Sequence, residues 1–431
     1  MFGYYIDLAQ RSLRSNAILT ALTVIAVAVG IGTSMTVFTV FRGLAADPIP
    51  EKSSQLFTVL IDNWGPSATI AENLRIAVSY PDAMGLLRAK HAKAQTALYA
   101  VSFTVTPPDA AAAPLAAAGH ATYADFFNMF NVPFRSGRPW TSAEDEGQAN
   151  VVVLGANLAD RLFPGRNAVG QEVILNQQSW RVIGVMQPWD PRPHFYDLMF
   201  SGDEVLVPFQ SAVAHGFPVQ LTACNKPPPS GPNVAGQMIS ECQWVLVWFE
   251  LPTPADVASF RRFLQSYTEE QRRVGRFNWP PNYHLYSLPE WLVRMKVVPD
   301  EMRLATLVAF GFLVVCLLNA IGLLLAKFTG RVSSLSVHRA LGASRFDVFA
   351  QCLTESAVVG AAGGIVGLAL MLFGLELERR MLSQQMVGLA RLDNGMVAIT
   401  LTVAVVATIA CGAYPSWRAS RVQPAPQLKA Q

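Results

Sequence analysis

The sequence predicts a membrane protein with four transmembrane α-helices and a large α+β domain inserted between the first and second helices. Hydrophobic residues make up 52% of the 431 residues and charged residues only 15%, an apolar excess that has to be placed in lipid. Four uncharged runs are each long enough to cross ~30 Å of hydrocarbon. Between the first two runs, short alternating segments separated by prolines and glycines are typical of a folded aqueous domain.

The first predicted transmembrane helix covers residues 17–41 and follows a polar segment, residues 1–16. A cleaved secretory signal is the alternative interpretation. Its apolar core would span only ~7–15 residues, so the length of this run favours a membrane helix. Small residues on neighbouring faces of the run favour close approach of another helix.

The aqueous domain is predicted to cover residues 43–303, with strands near both of its ends. We therefore expect the two ends to pair and residues of about 120–240 to form a central insert. The alanine-rich residues 110–118 are predicted to be a loop, and a hairpin is predicted around Asn176 and Gln177. The predicted strands are residues 55–61, 97–105, 149–154, 173–175, 180–186, 242–251 and 283–288, and the predicted helices are residues 80–90, 156–163 and 254–273.

Residues 187–243 are rich in proline and glycine and have no sustained periodicity, which predicts a long surface segment. His194 and His215 lie in this segment. Their spacing relative to the cysteines matches no zinc pattern, so we interpret them as surface histidines and predict no metal site.

The rest of the chain alternates between apolar and polar segments. Asn319, the one strongly polar residue of the second helix, is expected to bond a neighbouring helix. Pro415 is expected to end the fourth helix. The predicted segments are the second helix (304–326), a coupling segment (327–355), the third helix (356–375), a short loop (376–395), the fourth helix (396–415) and a tail (416–431).

The third helix contains two overlapping glycine spacings that favour close helix packing. These four predicted packing residues are Gly360, Gly363, Gly364 and Gly367.

Basic residues predict the orientation of the chain in the membrane. If the four helices alternate, most basic residues outside the domain fall on one side, which should be the cytoplasm, so the large domain should be periplasmic. Cys224 and Cys242 are then the two cysteines outside the membrane, in an oxidising compartment, and we predict a disulfide between them. The basic residues used are Arg11, Arg14, Lys327, Arg331, Arg339, Arg345, Arg418, Arg421 and Lys429.

The coupling segment has strong local turn chemistry. Ser333 or Ser334 can cap a first short helix, and Gly342 can end it with a positive φ. Ser344 and Asp347 form a capping box for the next helix. The sequence therefore predicts a sharp turn, followed by a helix that begins amphipathic and enters the bilayer.

Two stretches carry a resemblance to a known family. VHRALGASRFDVFAQCLTES (337–356), followed by GGIVG, resembles the cytoplasmic coupling segment of ABC-transporter permeases of the MacB/FtsX/LolCE type. Residues 123–186, from YADFF to VIGVM, resemble the MacB-like periplasmic core domain of such permeases, which implies a two-lobed domain. The resemblance also implies that six residues contact an ATPase: Arg339, Ala340, Leu341, Gly342, Ala343 and Ser344.

One part of the coupling segment departs from the family pattern. Residues 334–338 read Ser-Leu-Ser-Val-His, where relatives carry an acidic and a basic residue. Either the contact with the ATPase differs in detail, or the chain pairs with a second permease that retains these charges.

Catalytic motifs are absent from the sequence. It contains no Gly-x-x-x-x-Gly-Lys-Ser/Thr loop, no His-Glu-x-x-His and no Gly-x-Ser-x-Gly. We therefore expect a non-catalytic permease subunit without a cofactor of its own, with ATP and Mg²⁺ bound by a separate ATPase subunit.

The resemblance implies mechanotransmission across the bacterial inner membrane. The expected function is export or extraction of an amphiphile such as an antibiotic, peptide or lipoprotein. The alternative is an FtsX-like signalling module that regulates a periplasmic enzyme. Besides the ATPase and membrane lipids, a second permease copy or paralogue is the expected partner; participation of a periplasmic adaptor and an outer-membrane channel is left open. A net charge of only +3 and the lack of a basic stripe exclude a nucleic-acid partner.

Overall fold

The computed structural model describes residues 16–66, 68, 76–107, 113–200, 202–332, 336–337, 339, 342–381 and 394–421. The chain divides into two compact units. One unit combines Met1–Ala46 with Val298–Gln431 and is a helix bundle, and the other, Asp47–Val297, is the aqueous domain.

Helices and strands alternate in the aqueous domain, whereas the bundle is helical in its described residues. In chain order the elements are α1 (Ala17–Ala45), β1 (Leu56–Ile61), β2 (Val78–Ser79), α2 (Tyr80–Arg88), β3 (Ala94–Thr106), β4 (Leu115–Thr122), α3 (Asp125–Met129), β5 (Phe134–Gly137), α4 (Ser142–Glu146), β6 (Val151–Leu154), α5 (Ala156–Leu162), β7 (Glu172–Leu175), β8 (Gln178–Met186), β9 (Val205–Pro208), α6 (Phe209–Ala214), α7 (Val234–Met238), β10 (Gln243–Glu250), α8 (Pro254–Arg273), β11 (Tyr283–Ser287), α9 (Leu288–Arg294), α10 (Asp300–Thr329), α11 (Arg345–Met381) and α12 (Asn394–Ser420).

The strands of the domain form a sheet whose main path is β11-β1-β10-β3-β4-β9-β6-β8-β5. The two ends of the domain pair as expected, since β1 is antiparallel to both β10 and β11. The middle segment is not separate from them. Its strands continue the same sheet through the parallel pair of β4 and β9, so the structure differs from the expected central insert.

Both faces of the sheet are buried, which explains the continuous apolar character of its central strands. On β10, Phe249 belongs to one hydrophobic core and the adjacent Trp248 to the other. Tyr99 and Leu98 divide in the same way on β3. The sheet therefore separates two cores within one unit.

Local turn and cap residues set several boundaries of the domain. Thr253 and Asp256 form a capping box at the start of α8, whose bounds equal the predicted ones. Asn176 and Gln177 have φ of 47° and 70°, as a two-residue hairpin turn between β7 and β8 requires. The bounds of α8 and the hairpin were predicted from the sequence, whereas the capping box was not.

The alanine-rich segment predicted to be a loop is partly a strand. Residues 115–118 belong to β4, and Leu115 pairs with Val105 at one end of a long antiparallel ladder with β3. Gly119 follows at a close backbone approach, where a Cβ would lie 1.8 Å from the carbonyl oxygen of Val205 on β9. Pairing with neighbouring strands thus overrides the weak β propensity of alanine.

The segment predicted to lie on the surface is also partly interior. Phe195 is 0% and Tyr196 1% exposed, and β9 is buried along its whole length. His194, predicted to be a surface residue, is hydrogen-bonded inside the domain to Asp203. Long-range side-chain pairing, which leaves no local periodicity, accounts for the difference.

Within the described residues, four helices are long and apolar enough to cross a membrane: α1, α10, α11 and α12. Pro415 lies inside α12 and does not end it. An internal proline lacks an amide donor and its ring clashes with the carbonyl four residues earlier, but the following turn is held against the bundle by the buried residues Ser416 and Ala419. Most of the predicted loop, at residues 382–393, lies outside the described residues.

Asn319 does not bond a neighbouring helix in the described part of the chain. It lies on the exposed face of α10, whereas the buried face is formed by residues such as Cys316 and Ala320. The helical period places Asn319 away from the bundle interior.

Candidate coupling site at the basic end of the helix bundle

The beginnings of α1 and α11 and the ends of α10 and α12 meet at one end of the bundle, which we call the basic end. A small apolar cluster joins three of these helices there, formed by Leu324, Phe328, Val348, Cys352 and Ala419. The basic residues Lys327, Arg331 and Arg418 lie at this end of the bundle. The basic end therefore has its own packed core beneath its charged residues.

A glycine turn precedes α11. Gly342 has a φ of 104°, which L-residues rarely adopt, and a Cβ added to it would meet no atom within 4 Å. The predicted capping box is present: the Ser344 amide donates to Asp347 Oδ2 at 2.9 Å, and the Asp347 amide donates to Ser344 Oγ at 3.1 Å. The direction of the chain is thus set by backbone conformation and by a cap, not by tight packing of the turn.

The structure describes the predicted contact residues only in part. Arg339 is half-buried and helical, and Gly342 to Ser344 form the turn. Ala340 and Leu341, and the predicted cap residues Ser333 and Ser334, lie outside the described residues. Ala343 is positioned between the glycine and the cap.

Helix α11 continues from this cap without interruption to Met381. Its first turns are amphipathic as predicted, with Val348 and Cys352 buried. Phe346 is 74% exposed, and Val337 before the turn is 46% exposed. The turn therefore presents an apolar surface outward at the start of a helix that is long enough to cross a membrane.

A buried ion pair links α10 and α11 at the basic end. Lys327 Nζ lies 2.5 Å from Glu355 Oε1, and the exposed fractions of the two side chains are 0% and 3%. Lys327 also donates to Thr20 Oγ1 of α1 at 2.9 Å, and Arg331 lies 3.5 Å from Glu355. These contacts connect three helices through one carboxylate and its two cations.

This pair was not predicted from the sequence. Lys327 was interpreted only as a marker of orientation, and no partner was predicted for Glu355. The signal that was available is the rarity of ionisable residues within membrane helices, where they are usually paired.

The four predicted packing glycines face two different helices. A Cβ on Gly360 would lie 2.4 Å from Thr408 Oγ1 of α12, and one on Gly364 would lie 2.7 Å from Ala404 Cβ. A Cβ on Gly363 would lie 2.8 Å from Val27 Cγ1 of α1. Gly367 likewise approaches α1, where Ala28 O would lie 3.1 Å from its Cβ. Any side chain at these positions would force the helices apart.

The aqueous domain contains the disulfide expected from the sequence, between Cys224 and Cys242, with an S–S distance of 1.98 Å. Cys316, Cys352 and Cys411 are buried free thiols in the bundle.

A buried histidine cluster lies in the middle of the domain. His120 contacts Asp203 at 2.9 Å and Asp197 at 3.0 Å, and His194 contacts Asp203 at 3.0 Å. Burial opposes the charge of His120, but hydrogen bonds to the two carboxylates outweigh it and raise the pKa of His120 to about 9. Among the described residues, no group of three or more histidines, cysteines and acids is placed to hold a metal ion.

A second charge cluster surrounds Arg276. Its guanidinium donates to both carboxylate oxygens of Asp82, at 2.6 and 2.9 Å, and to both oxygens of Glu241, at 2.6 and 2.8 Å. The pKa of Arg276 is raised, because these bonds outweigh its burial. The cluster ties α2 to the segment that follows α8.

These features define a multi-pass membrane protein with a large folded domain between its first two membrane helices. Residues 20–265 match the MacB-like periplasmic core domain, and residues 306–424 match the FtsX-like permease C-terminal domain. The chain belongs to the ABC-transporter permeases of the MacB/FtsX type, and the domain is periplasmic.

Relatives are similar along most of the chain. The macrolide export ATP-binding/permease protein MacB of Azoarcus sp. is 24% identical over 364 residues, which cover 84% of this chain and 50% of the relative. The protein of the same name from Bdellovibrio bacteriovorus is 24% identical over 295 residues, 68% of this chain and 41% of the relative. The chain thus spans about half the length of these relatives or less.

A solved structure is also similar to the domain. The crystal structure of the periplasmic region of MacB from Actinobacillus actinomycetemcomitans superposes with a TM-score of 0.37 and 15% sequence identity. The match covers 57% of this chain and 94% of that structure.

Proposed function

We propose that this chain is a non-catalytic permease subunit of the bacterial inner membrane. It couples ATP hydrolysis by a separate cytoplasmic ATPase, which binds ATP and Mg²⁺, to conformational change in the periplasmic domain. The observation that carries the proposal is the capped glycine turn at Gly342, which leads directly into α11. An ATPase that contacts this turn would act directly on a helix that is long enough to cross the membrane.

The surface around the turn supports a docking role. Phe346 is largely exposed beside the cap, and aromatic residues are enriched at protein interfaces. The buried pair of Lys327 and Glu355 links the first turns of α11 to α10, so a force applied at the turn would reach both helices. In this proposal, residues 339–344 contact the ATPase.

A second permease copy or paralogue completes the unit. Asn319 on the exposed face of α10 supports this, because a polar amide facing lipid is unfavourable and another membrane helix can supply its hydrogen-bond partner. Two permeases and two ATPases would form the working complex.

The proposed activity is export or extraction of an amphiphile such as an antibiotic, peptide or lipoprotein. It is supported by the relatives named as macrolide export proteins. The second candidate is an FtsX-like module that controls a periplasmic enzyme, and the match of residues 306–424 favours it as the alternative.

Purification of the chain from its native membranes, with mass spectrometry of copurifying proteins and lipids, separates these possibilities. We expect an ABC ATPase in every case. A periplasmic adaptor and an outer-membrane channel would support export, whereas a cell-wall hydrolase would support signalling. A complex without any ATPase would contradict the proposal.

Gly342→Val tests the coupling turn itself. Because the space around Gly342 is open, the substitution acts only through the φ of 104°, which valine disfavours. We expect the bundle and domain to fold, while ATPase association or ATP hydrolysis by the reconstituted complex falls.

Gly165→Val is the matched control, because Gly165 also has a positive φ, 69°, and an open Cβ position, but lies in the periplasmic domain away from the turn. It should behave as wild type. Equal association and hydrolysis for Gly342→Val and wild type would mean that the turn is only a loop.

A further inference from the structure

The periplasmic domain contains an open cleft of about 420 Å³ that the coupling role does not use. The end of α2, the start of β3, helix α4 and the first turn of α6 line it. Its base includes Met84 and Leu87, which are buried apolar residues of the larger core. A volume of this size is typical of small-molecule sites.

One buried carboxylate in the cleft has an unsatisfied oxygen. Asp145 is only 1% exposed, and its Oδ1 accepts a 3.3 Å hydrogen bond from the Gln210 amide. Its Oδ2 has no hydrogen-bond partner among the described residues. No cationic side chain in the described part of the chain forms an ion pair with it.

A second acceptor in the same cleft is also unsatisfied. The side-chain amide of Gln95 donates to the carbonyl oxygen of Leu87, while Gln95 Oε1 is buried and has no partner in the described structure. Buried polar atoms are normally hydrogen-bonded, so two unmatched acceptors that line one cleft are an exception that calls for a donor.

The charges of the cleft are unevenly placed. Its cations, Arg88, Lys90 and Lys93, are exposed, and Lys93 is already paired with Glu250. The buried positions instead carry acceptors and apolar carbon. A ligand that complements them has N–H donors, a positive charge and an apolar part.

We propose that this cleft binds the protonated amine of a small amphiphile, with the ammonium group on Asp145 and the apolar part against Met84 and Leu87. The site would give the periplasmic domain a ligand-binding role that does not depend on the coupling turn or on the ATPase. Charge-assisted hydrogen bonds to a carboxylate are among the strongest available in a protein.

The protonation behaviour of Asp145 agrees with this geometry. Burial raises the pKa of Asp145 to about 7, although the backbone amides of Gln210 and Ala124 lower it. A carboxyl that lacks a cation in the empty cleft gains one when an ammonium ion enters.

Direct binding to the full chain in nanodiscs of neutral lipid tests the proposal. Benzylamine is the probe and benzyl alcohol the uncharged analogue, both measured by isothermal titration with empty nanodiscs subtracted. We expect saturable benzylamine binding by wild type and a loss of at least about tenfold in affinity for Asp145→Asn. Benzyl alcohol should bind weakly to both proteins.

Glu51→Gln is the control, since it removes the same charge from an exposed residue of the same domain that does not line the cleft. It should bind benzylamine as wild type does. Gln95→Met, which removes the second acceptor, should weaken benzylamine binding severalfold and keeps the test valid if Asp145→Asn does not fold. The proposal would be overturned if wild type, Asp145→Asn and Gln95→Met bound benzylamine with equal affinity. It would also be overturned if wild type bound benzyl alcohol as tightly as benzylamine.

Discussion

The periplasmic domain and the helix bundle bury charge in different ways. In the domain, the planar guanidinium of Arg276 holds two carboxylates through both oxygens of each. In the bundle, the ammonium group of Lys327 meets a single oxygen of Glu355. A guanidinium fork fixes the orientation of its partners, whereas an ammonium group on a flexible stem tolerates their displacement. The domain therefore uses charge to fix geometry, and the bundle uses a contact that can survive a shift between helices.

The largest expected effect is that of Arg276→Met. It leaves Asp82, which is 0% exposed, without its cation, and breaking such a buried pair costs about 3–5 kcal/mol. Eight of the nine tryptophans lie in the domain, so denaturant unfolding followed by tryptophan fluorescence measures the loss.

Arg273→Met is the control, because the pair of Arg273 and Glu270 is exposed and should leave the unfolding midpoint unchanged. Equal losses of stability in Arg276→Met and Arg273→Met would mean that the buried ion pairs of Arg276 contribute no more than the exposed pair of Arg273 and Glu270.

A somewhat smaller effect is expected from pH. The pKa of His120 is raised to about 9 by Asp197 and Asp203, compared with ~6.5 in an unfolded chain. The stabilisation is therefore fully present below pH 6.5 and is lost as pH rises through 9, by up to about 3 kcal/mol. Tryptophan-monitored unfolding between pH 6.5 and 9.5 should show this slope. His120→Asn should flatten it, and a slope that persists in this variant would assign the pH response to other groups.

The smallest of the three effects is expected in the bundle. Lys327→Met leaves Glu355 with Arg331 at 3.5 Å, so the loss should be about 1–3 kcal/mol. Adding Glu355→Gln should restore much of it, because the unpaired charge is then removed. Thermal unfolding of the helices by circular dichroism in nanodiscs measures both variants. If the double variant is less stable than Lys327→Met alone, the pair acts differently from this account.

Local chemistry made much of the domain predictable. Thr253, Pro254 and Asp256 define the start of α8, and Asn176 with Gln177 defines a hairpin, because the deciding interactions lie within a few residues. The strand character of residues 115–118 was missed, since it depends on pairing with β3, of which these residues carry no local signal. The burial of residues around 195 was missed for the same reason.

In the coupling site, too, the features set by nearby residues were predictable and those set by contacts between helices were not. The positive φ of Gly342 and the cap of Ser344 follow from adjacent residues, and the glycine spacings of α11 predicted close packing. The sequence did not predict which neighbour each glycine face would contact. Nor did it predict the pair of Lys327 and Glu355, because these residues belong to different helices whose relative rotation is set by packing.

The two glycine faces of α11 limit the degrees of freedom of this helix. Spinning α11 about its own axis would drive bulkier residues into α1 and α12 at once, because Gly363 and Gly364 are adjacent and face different neighbours. The movement that remains is rocking of α11 together with α1 and α12 as a rigid body. Its 37 residues form a rod of about 55 Å, so a rotation of about 5° displaces the far end by about 5 Å. A small rotation of α11 about the basic end would thus displace its other end by about the length of one helical turn.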